Sequence, residues 1–196
     1  MESKKQDLYN IFTRFSNIFM LFEPESTIDT LLDHYKNFID PNKIIFAIMN
    51  IDQKKRDKIV IYLDKMIKNS SCTDKNFHNL YVFFLCQSSN INKDSNDILL
   101  SYLEDAFENK NPSFDVDYAL KVFSQFKIYS AQSFALAIME KYDESIKIAL
   151  QNDHLEIAKI VTKNIGDLKV KKRLWLEVSI YSLRYLLILS EIILII

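Results

Sequence analysis

The chain has 196 residues, and 48% of them are hydrophobic, which is enough for one domain or a modest repeat array with a buried core. Its 25 basic and 26 acidic side chains leave a net charge of −1, so no broad attraction to nucleic acid or anionic lipid is expected. The single glycine, Gly166, and only three prolines disfavour folds that depend on tight hairpins or βα loops.

Apolar side chains recur at i, i+3, i+4 and i+7 along most of the chain, which is the spacing of one face of an α-helix. The clearest runs are Ile59 to Ile67, Phe77 to Leu85, Ala119 to Phe126 and Ile146 to Leu150. No segment alternates apolar and polar residues between turn residues, so an all-α fold is predicted. The predicted helices lie near residues 4–16, 25–36, 41–50, 54–69, 75–88, 95–109, 115–127, 130–139, 142–151, 154–164 and 168–190.

Short polar breaks separate these helices. Asp40 is predicted to cap a helix that starts with Pro41, and Asp153 with Glu156 has the spacing of a capping box. The other breaks are predicted as turns or loops at residues 87–96, 111–113 and 164–167. Helix pairs of about 25–40 residues indicate an α-solenoid of stacked antiparallel pairs, with a compact irregular bundle as the alternative.

Little in the sequence indicates catalysis. With one glycine, the chain contains neither a P-loop nor a dinucleotide-binding fingerprint. Asp153 and His154 form an adjacent acid–histidine pair, and their place at a predicted helix start favours capping over nucleophilic catalysis. The carboxylate pairs at 104–105 and 143–144 are expected on solvated faces. We predict no catalytic residue, no cofactor-binding residue and no small-molecule ligand.

Three potential metal ligands, Cys72, His78 and Cys86, lie within fifteen residues but lack the spacing that closes a zinc site. His78 and Cys86 could share a helix face, whereas Cys72 precedes that helix. We therefore predict no metal site, with Cys86 buried and His78 in solvent. Two cysteines are also too few for a disulfide scaffold, and we expect them to be reduced in a cytosolic protein without a signal peptide.

The segment from Lys169 to Arg173 carries four positive charges in five residues and could contact phosphates or acidic headgroups. The favoured interpretation is the solvated face of a helix whose other side is formed by Leu174, Trp175 and Val178. The 14 phenylalanines and 10 tyrosines are interpreted as packing residues, because they stand at core spacing.

An ordered series of short motifs runs through the second half of the chain. They are LLSYLE at 99–104, DYAL at 117–120, YDESIKIAL at 142–150, Asp153 through Lys159, and KKRLWL at 171–176. In this order they resemble the clathrin-heavy-chain-like repeat region of the vacuolar protein sorting-associated protein 18 family. DPNKII at 40–45 matches more loosely, and the resemblance covers about residues 20 to 178.

The resemblance implies a function. Members of this family are core subunits of the tethering complexes HOPS and CORVET, which hold endosomes, lysosomes or vacuoles together before SNARE-driven fusion. It implies a non-catalytic scaffold for vesicle docking and vacuolar protein sorting. The implied partners are sister vacuolar sorting subunits and SNAREs, and the implied location is cytoplasmic and peripheral on the late endosome, lysosome or vacuole membrane.

The chain departs from the family pattern at three points. It has no run of strands that would form a β-propeller, and it lacks the Cys/His clusters of a RING zinc domain, so zinc binding and ubiquitin ligation are not implied. Third, the chain after Val178 is mostly apolar, where the family would continue as an ordinary amphipathic helix. Residues 1–178 are therefore predicted as the solenoid, and 179–196 as an apolar C-terminal helix or a non-native tail. Arg184 and Glu191 would each cost about 2.5–3.5 kcal/mol near a bilayer centre, which favours a buried helix over a membrane anchor.

Three alternatives stay open. The first is another clathrin-repeat trafficking scaffold, and the second is a helical enzyme, which would show a deep pocket with converging ionisable groups. The third is a small protein anchored in the membrane through residues 180–196, which alkaline carbonate would not extract.

Overall fold

A computed structural model of the chain describes residues 56–70, 73–89 and 93–195, together with individual residues between 7 and 30; side chains are described as far as residue 184. Within these residues every regular element is an α-helix, so the predicted all-α fold is confirmed. The helices with defined bounds are α1 (Arg56–Ser70), α2 (Lys75–Ser89), α3 (Lys93–Glu108), α4 (Val116–Phe126), α5 (Tyr129–Ile138), α6 (Tyr142–Gln151), α7 (Leu155–Asn164) and α8 (Leu168–Ile195).

The predicted bounds from residue 54 onward agree with these helices to within about two residues, except that α8 continues to Ile195. The prediction of a loop at 87–96 is wrong at both ends, because Gln87 lies in α2 and Asn96 in α3. Lys93 and Asp94 form the exposed first turn of α3, whereas Ser88 and Ser95 are buried within the two helix ends. The three predicted helices before residue 51, and the cap at Asp40, lie wholly or mainly outside the described residues.

The chain divides into two compact units after Phe84, and each is described by itself. In the first unit, α1 buries Ile59, Tyr62, Leu63 and Met66, which occupy the positions i, i+3, i+4 and i+7 of one face. A hydrogen bond of 2.8 Å from the Tyr81 hydroxyl to Oδ1 of Asp64 joins α1 to α2.

The second unit is built around α5, which contacts α3, α4, α6 and α7. Every residue of α5 from Ser130 to Ala137 is buried. A helix that is buried on all sides needs neighbours on all sides, and these four helices provide them. The last helix, α8, packs on α6 and α7.

Two buried serines allow α5 and α6 to approach closely. Ser133 and Ser145 are both fully buried, and the Ser145 hydroxyl donates to the Ser133 carbonyl oxygen at 2.7 Å. The Ser133 Oγ lies 3.1 Å from the Ser145 carbonyl oxygen and 3.0 Å from its Oγ. The two side chains therefore satisfy each other within an otherwise apolar contact.

Three consecutive helices, α4, α5 and α6, end in the same way. Lys127, Glu140 and Asp153 follow them, thirteen residues apart, and each has a positive φ of 56° to 60°. After α5, the Lys141 N–H donates to the Leu136 carbonyl at 2.9 Å and the Glu140 N–H to the Ala137 carbonyl at 3.0 Å. These are Schellman bonds, which usually require glycine at the left-handed position. A regular repeat of helix plus turn thus underlies a sequence with little visible self-similarity.

The predicted capping role of Asp153 is wrong. Asp153 occupies the left-handed position that closes α6, and the N-cap of α7 is His154, which makes no side-chain capping bond. Only three residues separate α6 from α7. Asp153 is therefore needed in the turn that ends α6 and cannot also be the N-cap of α7. Aspartate tolerates this conformation better than most residues.

Replacing Lys127 by glycine should stabilise the fold. A left-handed conformation costs an L-residue about 1–2 kcal/mol, and glycine's greater freedom in the unfolded chain offsets part of this, so we expect a gain of about 0.5–1 kcal/mol. The control is Lys121→Gly, on the exposed face in the middle of α4, which should lose about 1 kcal/mol. Urea unfolding of both variants measures the difference, and a loss in both would contradict the assigned turn.

The single glycine should be replaceable by alanine with a gain in stability. Gly166 has no positive φ, and a Cβ added there would meet no atom within 4 Å. Since alanine restricts only the unfolded chain at such a site, we expect Gly166→Ala to raise the free energy of unfolding by about 0.4–1 kcal/mol. A thermal unfolding scan would show this as a higher midpoint, whereas a lowered midpoint would mean that the turn before α8 needs glycine.

Candidate interaction surface

Two of the three potential metal ligands, His78 and Cys86, lie in the described part of the chain and belong to no metal-binding cluster there. No group of three or more His, Cys, Asp or Glu side chains that could hold a metal ion occurs among the residues described. Cys86 is buried as predicted, but the prediction that His78 is solvated is wrong, because its side chain is only 4% exposed. His78 lies one turn before Val82 on the broad buried side of α2. Cys72 lies outside the described residues.

The Cys86 thiol should be unreactive in the folded protein. Burial raises its pKa to about 12, so the thiolate fraction at pH 8 is about a thousandfold below that of an ordinary thiol. In a Cys72→Ser variant, a thiol-specific reagent should therefore label the native chain at least about a thousandfold more slowly than the chain in denaturant. Rapid labelling of the native chain at pH 8 would contradict this burial.

Asp153 and His154 do not form the geometry of a catalytic pair. The Tyr181 hydroxyl, on α8, donates a hydrogen bond to the Asp153 carboxylate. His154 is half-buried at the start of α7. The pair therefore belongs to the turn that α8 packs against.

The carboxylates at 143–144 lie exposed in the first turn of α6, as expected. Arg173 on α8 donates two hydrogen bonds to Asp143, from Nη1 to Oδ1 at 2.5 Å and from Nη2 to Oδ2 at 2.9 Å. The hydrogen bond from Arg173 holds the pKa of Asp143 below its ordinary value. A paired fork of this kind fixes the orientation of α8 on α6, although exposed pairs add little stability.

The basic run lies on the solvated side of α8, in agreement with the favoured prediction. Lys169, Lys172 and Arg173 are exposed, while Leu174 and Val178 are buried. Lys171 differs from its neighbours, because its Nζ donates to the Lys163 carbonyl oxygen at 2.5 Å. This bond ties the first turns of α8 to the end of α7.

One surface feature was not predicted. Leu176, Ile180 and Leu183 are 63%, 42% and 61% exposed, and they occupy positions i, i+4 and i+7 on the side of α8 opposite Leu174 and Val178. We call these three residues the α8 stripe. The favoured prediction places Leu174, Trp175 and Val178 opposite the solvated basic face, but it does not identify the apolar residues that continue that solvated face.

Two hollows lie beside these helices. The larger, of about 540 Å³, is lined by residues that include Phe107, Pro112, Val116, Ile138, Glu140 and Tyr142. The smaller, of about 370 Å³, is a groove between α6 and α8 lined by Asp143, Lys147, Leu150, Gln151, Glu177 and Tyr181. Burial, with the charge of Glu140 as the second cause, raises the pKa of Tyr142 in the larger hollow. That tyrosine therefore stays protonated and can donate a hydrogen bond.

In the part of the chain that the structure describes, no helix is both long and apolar enough to cross a bilayer. The helix α8 nevertheless passes without interruption through residue 178, where the sequence predicted a boundary.

Successive helices from α4 to α8 pack against each other. Comparison with known proteins identifies the family to which this arrangement belongs. A family model described as VPS18, alpha-solenoid domain, second half, matches residues 1–183. The chain belongs to the VPS18 alpha-solenoid family. The α-solenoid architecture and the family resemblance predicted from the sequence are both confirmed.

Curated relatives of this family match the chain over part of their length. The chain is 27% identical over 175 residues to the vacuolar protein sorting-associated protein 18 homolog of Danio rerio, covering 86% of this chain and 17% of that protein. It is 24% identical over 151 residues to the vacuolar membrane protein pep3 of Schizosaccharomyces pombe, covering 73% of this chain and 16% of that protein. The Drosophila melanogaster homolog is 21% identical over 164 residues. The chain thus spans about one sixth of the length of these relatives.

Proposed function

We propose that this chain is a non-catalytic scaffold in a membrane-tethering complex of the HOPS or CORVET type. In this role it supports vesicle docking and fusion, and vacuolar protein sorting, through contacts with other proteins. The observation that carries the proposal is the VPS18 family match over residues 1–183, together with relatives whose names refer to vacuolar protein sorting and to a vacuolar membrane.

The surface chemistry supports a scaffold role. Stacked helices offer long side faces on which another protein can lie, and a solenoid can add such faces without a reaction centre. The charged groups around the larger hollow, Glu108, Lys110 and Glu140, are all exposed, while the neutral Tyr142 is half-buried. Exposed charges of this kind suit reversible recognition better than acid–base catalysis, which needs desolvated groups with matched pKa values.

The proposed partners are sister vacuolar sorting subunits of the same complex, with SNAREs as a second class. The proposed location is the cytoplasmic side of late endosomes, lysosomes or vacuoles, held there through partner proteins. A net charge of −1 supports recruitment by proteins rather than by anionic lipid.

Affinity purification of the tagged chain from cells tests the proposal. We expect sister vacuolar sorting subunits in the purified fraction, and alkaline carbonate should release the chain from membranes. Purification without any sister subunit would contradict the scaffold role. Retention on membranes after carbonate treatment would instead favour an anchor through residues 180–196.

A further inference from the structure

The α8 stripe exposes three large apolar side chains in a line about 10 Å long on one face of a helix. Apolar residues at i, i+4 and i+7 are the anchors by which one amphipathic helix packs against another. The other side of α8 is already packed on α6 and α7. The stripe therefore has the geometry of a second packing face.

Basic side chains stand at both ends of the stripe. Lys169 and Lys172 precede Leu176 on the same side of the helix, and Arg184 follows Leu183. No ion pair of these three residues occurs with any described residue. Arg173 differs, because Asp143 already engages it. Glu177, exposed beside Leu176, lies 4.0 Å from Arg173. The charge that the stripe presents to a neighbour is thus positive on balance.

We propose that the α8 stripe is the docking site for an amphipathic helix of a partner protein that carries acidic residues beside its apolar face. The proposal rests on the scaffold function proposed above and specifies one surface that performs it. The partner's apolar residues pack on Leu176, Ile180 and Leu183, and its carboxylates lie opposite Lys169, Lys172 and Arg184.

The carboxylates near the stripe favour a protein helix over a membrane. Glu177 lies next to Leu176, and Asp143 and Glu144 lie exposed at the start of the adjacent α6. An anionic lipid surface presents negative charge over its whole area, so the exposed carboxylates of Glu177 and Glu144 would be repelled. A helix can place its acidic residues only opposite the basic ones. The groove between α6 and α8, which contains Glu177 and Tyr181, also provides a concave edge beside the stripe.

Fluorescence anisotropy with two synthetic helical peptides of about 20 residues tests the charge and the apolar contact together. Both peptides have leucines at i, i+3, i+4 and i+7 and alanines between them; one carries glutamates and the other lysines at its polar positions. We expect the acidic peptide to bind the full chain at least about tenfold more tightly than the basic one. Equal affinities, or binding of neither peptide, would overturn the proposal.

Variants assign that binding to the stripe. The triple change Leu176→Ser, Ile180→Ser and Leu183→Ser should weaken binding of the acidic peptide at least about tenfold. The matched control, Ile98→Ser with Tyr129→Ser, removes exposed apolar residues elsewhere and should leave binding unchanged. Both variants should keep the helical circular dichroism of the parent chain, because they change exposed residues. An equal loss in the control would overturn the assignment.

A charge-reversal variant keeps the test decisive even if affinity changes for other reasons. Lys169→Glu, Lys172→Glu and Arg184→Glu should reverse the preference, so that the basic peptide binds more tightly than the acidic one. Misfolding cannot produce such an exchange. An unchanged preference for the acidic peptide would overturn the proposed charge contacts.

Other occupants give different results. A dimer seen by light scattering that the triple serine change dissociates would assign the stripe to a second copy and overturn the proposal. Stripe-dependent sedimentation with vesicles of phosphatidylcholine and phosphatidylserine would assign it to lipid and also overturn it. If sister subunits still co-purify while neither peptide binds, the docking proposal fails and the scaffold function stands. If no sister subunit co-purifies with the wild-type chain, the scaffold function itself fails.

Discussion

Truncating Phe134 to alanine should lower the free energy of unfolding by about 3–5 kcal/mol. Phe134 lies in the middle of α5 with 1% of its surface exposed, and its ring centroid is 6.3 Å from that of Phe107 on α3. Because α5 has helices on all sides, the neighbours cannot collapse into the space that the ring leaves. The expected loss is a large fraction of the stability of a typical domain.

A urea titration followed by circular dichroism measures this loss. The control is Tyr129→Ala, at the first position of the same helix, where the side chain is 39% exposed; it should change the stability by no more than about 0.5 kcal/mol. Phe134→Leu keeps most of the volume and should lose about 1.5 kcal/mol or less. A loss below about 1 kcal/mol for Phe134→Ala would mean that α5 is not the packed centre of this unit.

Helix positions and the core face could be predicted from the sequence because both depend on local spacing. The spacing predicts Ala119, Val122, Phe123 and Phe126 as one face of α4; the first three are buried and Phe126 is half-buried. The same reasoning placed α6 at residues 142–151, where it begins with Tyr142 and ends with Gln151. Spacing indicates a face reliably where apolar and polar residues separate cleanly around the helix.

The errors occurred where one residue serves two elements or where a helix is apolar on two sides. Asp153 has a side chain suited to an N-cap, but its backbone forms the left-handed turn that ends α6. The side chain alone does not reveal this, because the short connection between α6 and α7 determines which role Asp153 has. His78 is polar but lies on a buried arc that the surrounding aromatic residues determine. The sequence predicts the side of Leu174 and Val178 as the packed one, but it does not identify the α8 stripe, because the basic run marks the opposite side as solvated and gives no reason to expect apolar residues there.

Replacing Ser145 by valine should lower the free energy of unfolding by about 2–4 kcal/mol, although valine is the more hydrophobic residue. The hydroxyl of Ser145 donates to the Ser133 carbonyl at 2.7 Å, and both side chains are fully buried between α5 and α6. Valine removes that donor and adds volume where the two helices meet closely. Ser124→Val is the control, because Ser124 lies on the exposed face of α4 and should change stability by no more than about 0.5 kcal/mol.

A double-mutant cycle separates the hydrogen bonds from the packing. Ser133→Ala and Ser145→Ala should each lose about 1–2 kcal/mol, because each removes a buried hydroxyl that donates to the backbone carbonyl of the other residue, together with the Oγ–Oγ contact. The double variant loses that shared Oγ–Oγ contact only once, so its loss should be smaller than the sum of the two single losses by at least about 0.5 kcal/mol. Additive losses would mean that the serines act independently.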